Sequence, residues 1–145
     1  MGRGHGYTPA SMIKQLHHIG IAVEDLDEAV RRYRDGLGLR FEGISEVPSE
    51  RVRVAILFAG ETRIELLEGV GEDSPISKFV AKRGPGIHHL AFEITDGQAE
   101  IDRLTGIGIQ VLDQKPRPGA HGTKVVFVHP KAMGGVLTEL VEVPK

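Results

Sequence analysis

Two pairs of adjacent histidines, each followed by the same kind of apolar segment, are the strongest candidates for metal binding or catalysis in this 145-residue chain. His17-His18 is followed by IGIAVED, and His88-His89 is followed by LAFEITD. The second histidines of the two pairs lie 71 positions apart (89 − 18). Imidazole is the commonest metal-binding side chain and also a general acid or base near neutral pH. A lone histidine in a strand is more often structural, but the same residue at the same place in two repeats indicates a shared function.

Each repeat also ends in a strand-like segment that carries a glutamate. Glu65 lies in IELLE and Glu139 lies in TELVE, 74 positions apart (139 − 65). Glu139 alternates with Leu137 and Val141, so its charge falls in an apolar stripe, where a compensating cation would offset the cost of desolvation. Glu65 shares its stripe with Arg63, and an ordinary salt bridge would explain it equally well. The two glutamates are therefore stronger evidence together than singly.

Taken together, two histidines and two glutamates form a candidate metal site. Its members are His18, Glu65, His89 and Glu139. Two imidazoles and two carboxylates suit Co²⁺, Zn²⁺, Mn²⁺ or Fe²⁺ rather than a soft metal. Because side chains alternate along a strand, His17 and His88 are expected on the opposite faces of their strands and receive no ligand role.

The composition excludes several other classes of protein. The chain contains no cysteine, which excludes disulfides, thiolate-bound zinc and a cysteine nucleophile. Eighteen Lys and Arg against 20 Asp and Glu give a formal net charge of −2, unlike the basic footprint of a nucleic-acid-binding protein. The longest apolar runs are of strand length, too short for a membrane helix. We therefore expect a soluble, cytoplasmic protein that binds neither nucleic acid nor membrane.

The segments around the candidate ligands predict an α+β fold built from two β-α-β-β-β modules. After each histidine strand an aspartate, Asp25 or Asp96, is placed to begin a helix. A further helix is predicted from Ser74 to Gly84, between the two copies. The remaining segments are rich in β-branched residues and bounded by Gly or Pro. The predicted strands after the helices are 39–47, 51–59 and 62–68 in the first copy and 109–113, 123–129 and 136–143 in the second.

The repeat also sets the predicted domain organisation. Residues 1–12 are rich in glycine and lack an apolar period, so we predict a flexible tail and leave His5 out of the site. Residues 13–145 are predicted to form a single domain, with module one at 13–70, a helical linker at 71–85 and module two at 86–145. Gly20 and Ala91 share the faces of His18 and His89, and such small neighbours are typical of a strand that lines a cavity.

Paired modules with histidine and glutamate at these positions resemble the vicinal oxygen chelate superfamily, and the resemblance covers 13–145. Three segments are similar to the methylmalonyl-CoA epimerases within it: GPGIHHLAF at 84–92, PRPGAHG at 116–122 and HPKAMGGVLTEL at 129–140. The resemblance implies a half-open barrel around a divalent metal held by His18, Glu65, His89 and Glu139, with glutamine replacing the second ligand in some members. It also implies a cytoplasmic homodimer that interconverts (2R)- and (2S)-methylmalonyl-CoA in propionate metabolism.

The implied activity assigns a chemical role to some of these residues. The substrate is an acyl-CoA and the expected ion is Co²⁺, with Zn²⁺, Mn²⁺ and Mg²⁺ as alternatives. Removing the proton between thioester and carboxylate gives an enolate, whose oxygen a divalent ion stabilises. Glu139 is the predicted base on one face of that carbon. Some members of the family carry a glutamate, proposed as acid or base, where this chain has Val54, so Glu46, Glu50 and His121 are the candidates for the other face.

Two other functions stay open on the sequence alone. A glyoxalase-like isomerase shares the ligand pattern and the enediolate chemistry, and only the three epimerase-like segments argue against it. A metal-free small-molecule-binding protein of the same fold, such as an antibiotic-sequestering module, would need no ion. A dioxygenase is disfavoured because its iron site uses three protein ligands rather than four.

Overall fold

The computed structural model describes residues 13–144, so the predicted flexible tail at 1–12 and His5 lie outside the described residues. The strands are β1 (Ile13–Ala22), β2 (Arg40–Val47), β3 (Val52–Ala59), β4 (Thr62–Gly69), β5 (Gly86–Ile94), β6 (Arg117–Pro118), β7 (Lys124–Val128) and β8 (Leu137–Glu142). The α-helices are α1 (Leu26–Val30), which continues as a π-helical turn at Arg31–Gly36, α2 (Pro75–Arg83) and α3 (Gly97–Gly106). The predicted α+β class is confirmed.

The described chain divides into two compact units, one comprising 16–91 and the other comprising 13–15 with 92–144. The strand order is β2-β3-β4-β1-β5 in the first unit and β5-β8-β7-β6 in the second, since β5 contributes residues to both. In the first unit β1 runs parallel to β4, and β3 is antiparallel to both β2 and β4. In the second unit β7 is antiparallel to β6 and β8. The module boundaries drawn from the sequence stay a prediction.

Both faces of the sheet in the first unit are packed. Helix α1 buries its apolar side on one face, with Leu26 and Val30 against Leu57 and Leu66. Helix α2 packs on the other face, in a cluster that contains Ala22, Val54, Leu67 and Ile76. The segment predicted as a helical linker is thus also a packing element. In the second unit α3 packs on β7 and β8 in a cluster formed by Ile94, Ile101, Leu104, Val126, Val128 and Leu140.

The three helices begin where the sequence predicts. In each, the side chain of the preceding Asp or Ser accepts a hydrogen bond from a backbone N–H in the first turn, which satisfies one otherwise unpaired donor. The bonds run from Glu28 N to Asp25 (3.1 Å), from Ser77 N to Ser74 (3.0 Å) and from Ala99 N to Asp96 (3.0 Å). None of the helices that residues 13–144 form is both long enough and apolar enough to span a membrane.

The strand predicted at 109–113 is wrong, whereas the other five strands predicted after the helices agree with the structure to within one residue at each end. Residues 109–113 make a single isolated bridge, Val111 to Val128, and the regular strand in this region is the two-residue β6. The side chain of Asp113 accepts hydrogen bonds from Phe127 N (2.8 Å) and from the Arg117 guanidinium (2.7 Å). A carboxylate that bonds the backbone of β7 replaces a strand-to-strand hydrogen bond and ends the ladder there.

Candidate metal centre

The first unit brings three of the four predicted ligands together on neighbouring strands. β1 lies between β4 and β5, and the parallel register of β1 with β4 places His18 beside Arg63 and Gly20 beside Glu65. His89 comes from β5. His18 and His89 are 5% and 8% exposed, and the side chain of Glu65 is 15% exposed. These polar groups therefore lie in a largely buried part of the sheet.

The Nε2 atom of His18 lies close both to a ring nitrogen of His89 and to a carboxylate oxygen of Glu65. His18 Nε2 lies 2.9 Å from His89 Nε2, and the two rings meet edge to face with their centroids 5.0 Å apart. His18 Nε2 also lies 3.7 Å from Glu65 Oε1. The second carboxylate oxygen of Glu65 accepts a hydrogen bond from Arg63 Nε at 3.0 Å. The salt bridge that the sequence offered as an alternative explanation for Glu65 exists, and it leaves Oε1 directed at His18.

Gly20 makes room for the imidazole of His89. A Cβ atom at position 20 would lie 2.2 Å from Cε1 and 2.5 Å from Nδ1 of that ring, closer than real atoms approach. Glycine is needed here for space, since Gly20 is not among the residues with positive φ. The small residue that the sequence analysis interpreted as lining a cavity instead lets the His89 ring rest directly on β1.

Both buried imidazoles are held in their neutral form. Burial lowers the pKa of His18 to about 2, and the charges of His89, His17 and Arg63 act in the same direction. Burial, with the charge of His88, lowers the pKa of His89 to about 4. At physiological pH each ring is therefore neutral and has a nitrogen lone pair, which is the form that binds a metal ion.

The donor set fits a divalent metal ion. Two ligands at right angles, each about 2.1 Å from an ion, are about 3.0 Å apart. The separation of 2.9 Å between the Nε2 atoms of His18 and His89 matches that spacing. Imidazole nitrogens with a carboxylate oxygen are the donors that Zn²⁺, Co²⁺ and Mn²⁺ accept. In the first unit His18 and His89 would hold such an ion, and the ligand role of Glu65 stays a prediction.

Glu139 lies in the second unit, on β8, where it pairs with Phe127 of β7. Its neighbours Thr138 and Leu140 are buried, and Leu140 belongs to the cluster under α3, so Glu139 occupies the other face of the strand. Val141, which shares that face, is 2% exposed. The apolar stripe around this carboxylate is confirmed, whereas its roles as ligand and base stay predictions.

The three candidates for the second acid or base, Glu46, Glu50 and His121, are all exposed. Glu46 is exposed on β2, where it pairs with Arg53, and Glu50 is exposed in a short 3₁₀ turn. His121 is exposed in another such turn with a left-handed backbone conformation (φ 56°). Val54 is 8% exposed within the apolar cluster under α2. Position 54 therefore has a packing role and no proton to transfer.

His17 and His88 contact the site, although the sequence analysis placed them on the opposite strand faces without a role. The Nδ1 atom of His17 lies 2.7 Å from Nδ1 of His18, and the corresponding atoms of His88 and His89 are 2.9 Å apart. The rings meet edge to face with centroids 5.0 and 5.2 Å apart, because an imidazole is long enough to reach past the strand backbone. The doubling of histidine in both repeats was the signal for this contact.

The chain is similar in sequence to a known protein family and to known proteins. Residues 17–127, which include His18, Glu65 and His89, match the sequence model of the Glyoxalase/Bleomycin resistance protein/Dioxygenase superfamily. An ethylmalonyl-CoA/methylmalonyl-CoA epimerase of Cereibacter sphaeroides is 42% identical over 134 residues, which are 91% of this chain and 100% of the relative. The chain belongs to the methylmalonyl-CoA epimerase family of this superfamily.

Two solved structures extend the likeness to three dimensions. The methylmalonyl-CoA epimerase of Mycobacterium tuberculosis superposes with a TM-score of 0.86 at 37% identity, over 96% of this chain and 94% of that one. A variant of the Streptomyces coelicolor methylmalonyl-CoA epimerase, in complex with 2-nitronate-propionyl-CoA, gives a TM-score of 0.82 at 37% identity, over 92% and 99%. The family resemblance and the enzyme class, an isomerase, are thus confirmed.

Proposed function

We propose that this protein interconverts the (2R) and (2S) epimers of methylmalonyl-CoA with a divalent metal ion held by His18, Glu65, His89 and Glu139. The observation that carries the proposal is the 2.9 Å approach of two buried, neutral imidazole nitrogens beside a carboxylate. This arrangement occurs in a chain that is 42% identical to an ethylmalonyl-CoA/methylmalonyl-CoA epimerase.

The charges of the four proposed ligands suit a divalent ion. Two neutral imidazoles and two carboxylates would balance its two positive charges, so that no uncompensated charge is left among buried side chains. When bound, a divalent ion stabilises the enolate oxygen that forms as the proton between thioester and carboxylate leaves. His18 and His89 present their Nε2 atoms, while Arg63 holds one oxygen of Glu65 and so fixes the orientation of its carboxylate.

Glu139 is the proposed base for one face of the substrate carbon. Its side chain lies on the face of β8 that it shares with the buried Val141, and a positioned carboxylate can act as a general base. Epimerisation also requires a proton donor on the opposite face. Because Val54 is packed under α2, that donor is a group other than residue 54, and Glu46, Glu50, His121 and water are the candidates.

The proposal extends to the ion, the substrate and the setting of the enzyme. A relative of known structure is in complex with 2-nitronate-propionyl-CoA, which supports an acyl-CoA substrate here. Co²⁺ as the ion, a homodimer, a cytoplasmic location and a place in propionate metabolism follow from the family resemblance. These four points are part of the proposal and are each open to direct measurement.

The direct test follows the C2 proton of methylmalonyl-CoA in heavy water by NMR. Protein stripped of metal with a chelator should exchange this proton slowly, and one equivalent of Co²⁺ should restore rapid exchange in both epimers. His129→Asn, which changes a histidine outside the site, is the matched control. Absence of exchange in the Co²⁺-loaded protein would reject the epimerase. Turnover of the hemithioacetal of methylglyoxal and glutathione would then identify a glyoxalase-like isomerase, and tight ligand binding without bound metal would identify a binding protein.

A further inference from the structure

Four histidine rings in the first unit form one continuous hydrogen-bonded chain, which runs from His17 through His18 and His89 to His88. Its three links are nitrogen–nitrogen distances of 2.7 Å (Nδ1 to Nδ1), 2.9 Å (Nε2 to Nε2) and 2.9 Å (Nδ1 to Nδ1). The two inner rings are buried and the two outer rings are half-buried. Every link uses ring nitrogens only, so the positions of the ring protons decide how the chain works.

Counting protons shows what a bound ion requires of the outer rings. A neutral imidazole carries one N–H and one acceptor nitrogen. Without an ion, three links are satisfied only when all the N–H groups point in the same direction along the chain. When the Nε2 atoms of His18 and His89 bind an ion, both rings must carry their proton on Nδ1. His17 and His88 must then both accept at Nδ1, so their own protons lie on Nε2.

We propose that His17 and His88 are positioning residues of the metal centre. By accepting the Nδ1–H of His18 and His89, they fix the tautomer and the ring orientation that direct each Nε2 lone pair at the ion. Such partners of ligand histidines orient the ring and raise its basicity. This inference rests on the proposed function, because it assumes that His18 and His89 bind the ion.

Helix α2 supports one end of this histidine chain. The ring of Phe79 meets the ring of His88 edge to face, with centroids 4.9 Å apart and an angle of 80° between the planes. This contact restricts the rotation of His88 and so keeps its Nδ1 directed at His89. The same helix that fills the apolar side of the sheet thereby holds an outer ring in place.

Paired substitutions separate the hydrogen bond from the bulk of the ring. His17→Leu and His88→Leu remove the acceptor, whereas His17→Asn and His88→Asn place an amide oxygen near the former Nδ1 atom. The dissociation constant of Co²⁺ alone is measured by competition with a chelator, beginning from metal-free protein. We expect each Leu variant to bind Co²⁺ about 10–100-fold more weakly, and each Asn variant to recover most of that loss. His129→Asn, outside the histidine chain, should not change the affinity.

Nitrogen-15 NMR of the Zn²⁺-loaded protein reads the tautomers directly. The expected result is a proton on Nδ1 of His18 and His89 and on Nε2 of His17 and His88. A proton on Nδ1 of either outer ring, or unchanged Co²⁺ affinity in both Leu variants, would overturn the inference while leaving the epimerase proposal intact. Wild-type protein that binds neither Co²⁺ nor Zn²⁺ would overturn the metal-dependent function and this inference together.

Discussion

The two β-α-β-β-β copies keep the same ends and differ in the middle. In the copy formed by β1 to β4, Leu26 N at the start of α1 donates to Glu68 Oε1 at 2.7 Å. In the copy formed by β5 to β8, Gly97 N at the start of α3 donates to Glu142 Oε1 at 2.8 Å. Each carboxylate lies three residues after a predicted ligand, Glu65 or Glu139. The last strand of each copy therefore supplies a candidate ligand. It also supplies a carboxylate that accepts a hydrogen bond from the first turn of the helix after the histidine strand.

The middle strands show where the copies diverged. The first copy has two eight-residue strands, β2 and β3, whereas the second has the two-residue β6 and the five-residue β7. The side chain of Asp113 replaces part of the missing ladder in the second copy. Neither pair of middle strands carries a predicted metal ligand. The two copies thus differ most in the strands that carry no predicted metal ligand.

The largest expected effect comes from removing an imidazole from either copy. His18→Ala and His89→Ala should each lose bound Co²⁺ and reduce epimerisation by at least about 100-fold, because each removes an ion ligand. Metal analysis after dialysis and the C2-exchange rate are the measurements. Equal losses would show that the copies contribute equally to the site. A full equivalent of metal retained in both variants would exclude this site.

Substitution of the two glutamates should change the C2-exchange rate by more unequal amounts than substitution of the two histidines. Glu139→Gln should lower the exchange rate by about 100- to 10,000-fold, since it removes the proposed base. Glu65→Gln should lose less than about tenfold, because an amide oxygen can still bind an ion and glutamine is expected at this position in some relatives. The exchange rate of each epimer, measured at saturating Co²⁺, separates the two roles. A near wild-type rate in Glu139→Gln would leave Glu139 as a ligand only.

Gly20 and Ala91 occupy corresponding positions in the two copies. Replacing each by the residue of the other copy should have different effects on stability and on Co²⁺ binding. Gly20→Ala drives a methyl group into the His89 ring, and we expect a loss of about 1–3 kcal/mol in the free energy of unfolding together with weaker Co²⁺ binding. Ala91→Gly should cost about 1–2 kcal/mol, from backbone entropy and the loss of one buried methyl group. Urea unfolding of the metal-free proteins tests both values. A stable Gly20→Ala variant with normal Co²⁺ affinity would contradict the close packing of His89.

The sequence predicted the elements shared by the two copies well, because the residue pattern of each such element occurs twice. Repeated local patterns predicted both the helices that begin after Asp25 and Asp96 and the two strands that carry the histidines. The prediction of a strand at 109–113 is wrong because the side chain of Asp113 competes for the backbone of β7, a tertiary contact with no local pattern. The contacts of His17 and His88 were missed because strand alternation describes the direction of Cβ and takes no account of the reach of a ring.

The smallest expected effect concerns the carboxylates that fasten the helices. Glu68→Ala and Glu142→Ala each remove the partner of a backbone N–H and a negative charge from a helix N-terminus, so we expect each to cost about 1 kcal/mol of unfolding free energy. The matched Gln variants keep an acceptor oxygen and should recover about half of that loss. Glu68 also lies 3.6 Å from Arg53, yet an ion pair at this exposure adds little. Equal losses in urea unfolding would show that the two fastenings are equivalent, whereas a loss confined to Glu68→Ala would mean that the second copy holds α3 by apolar packing alone.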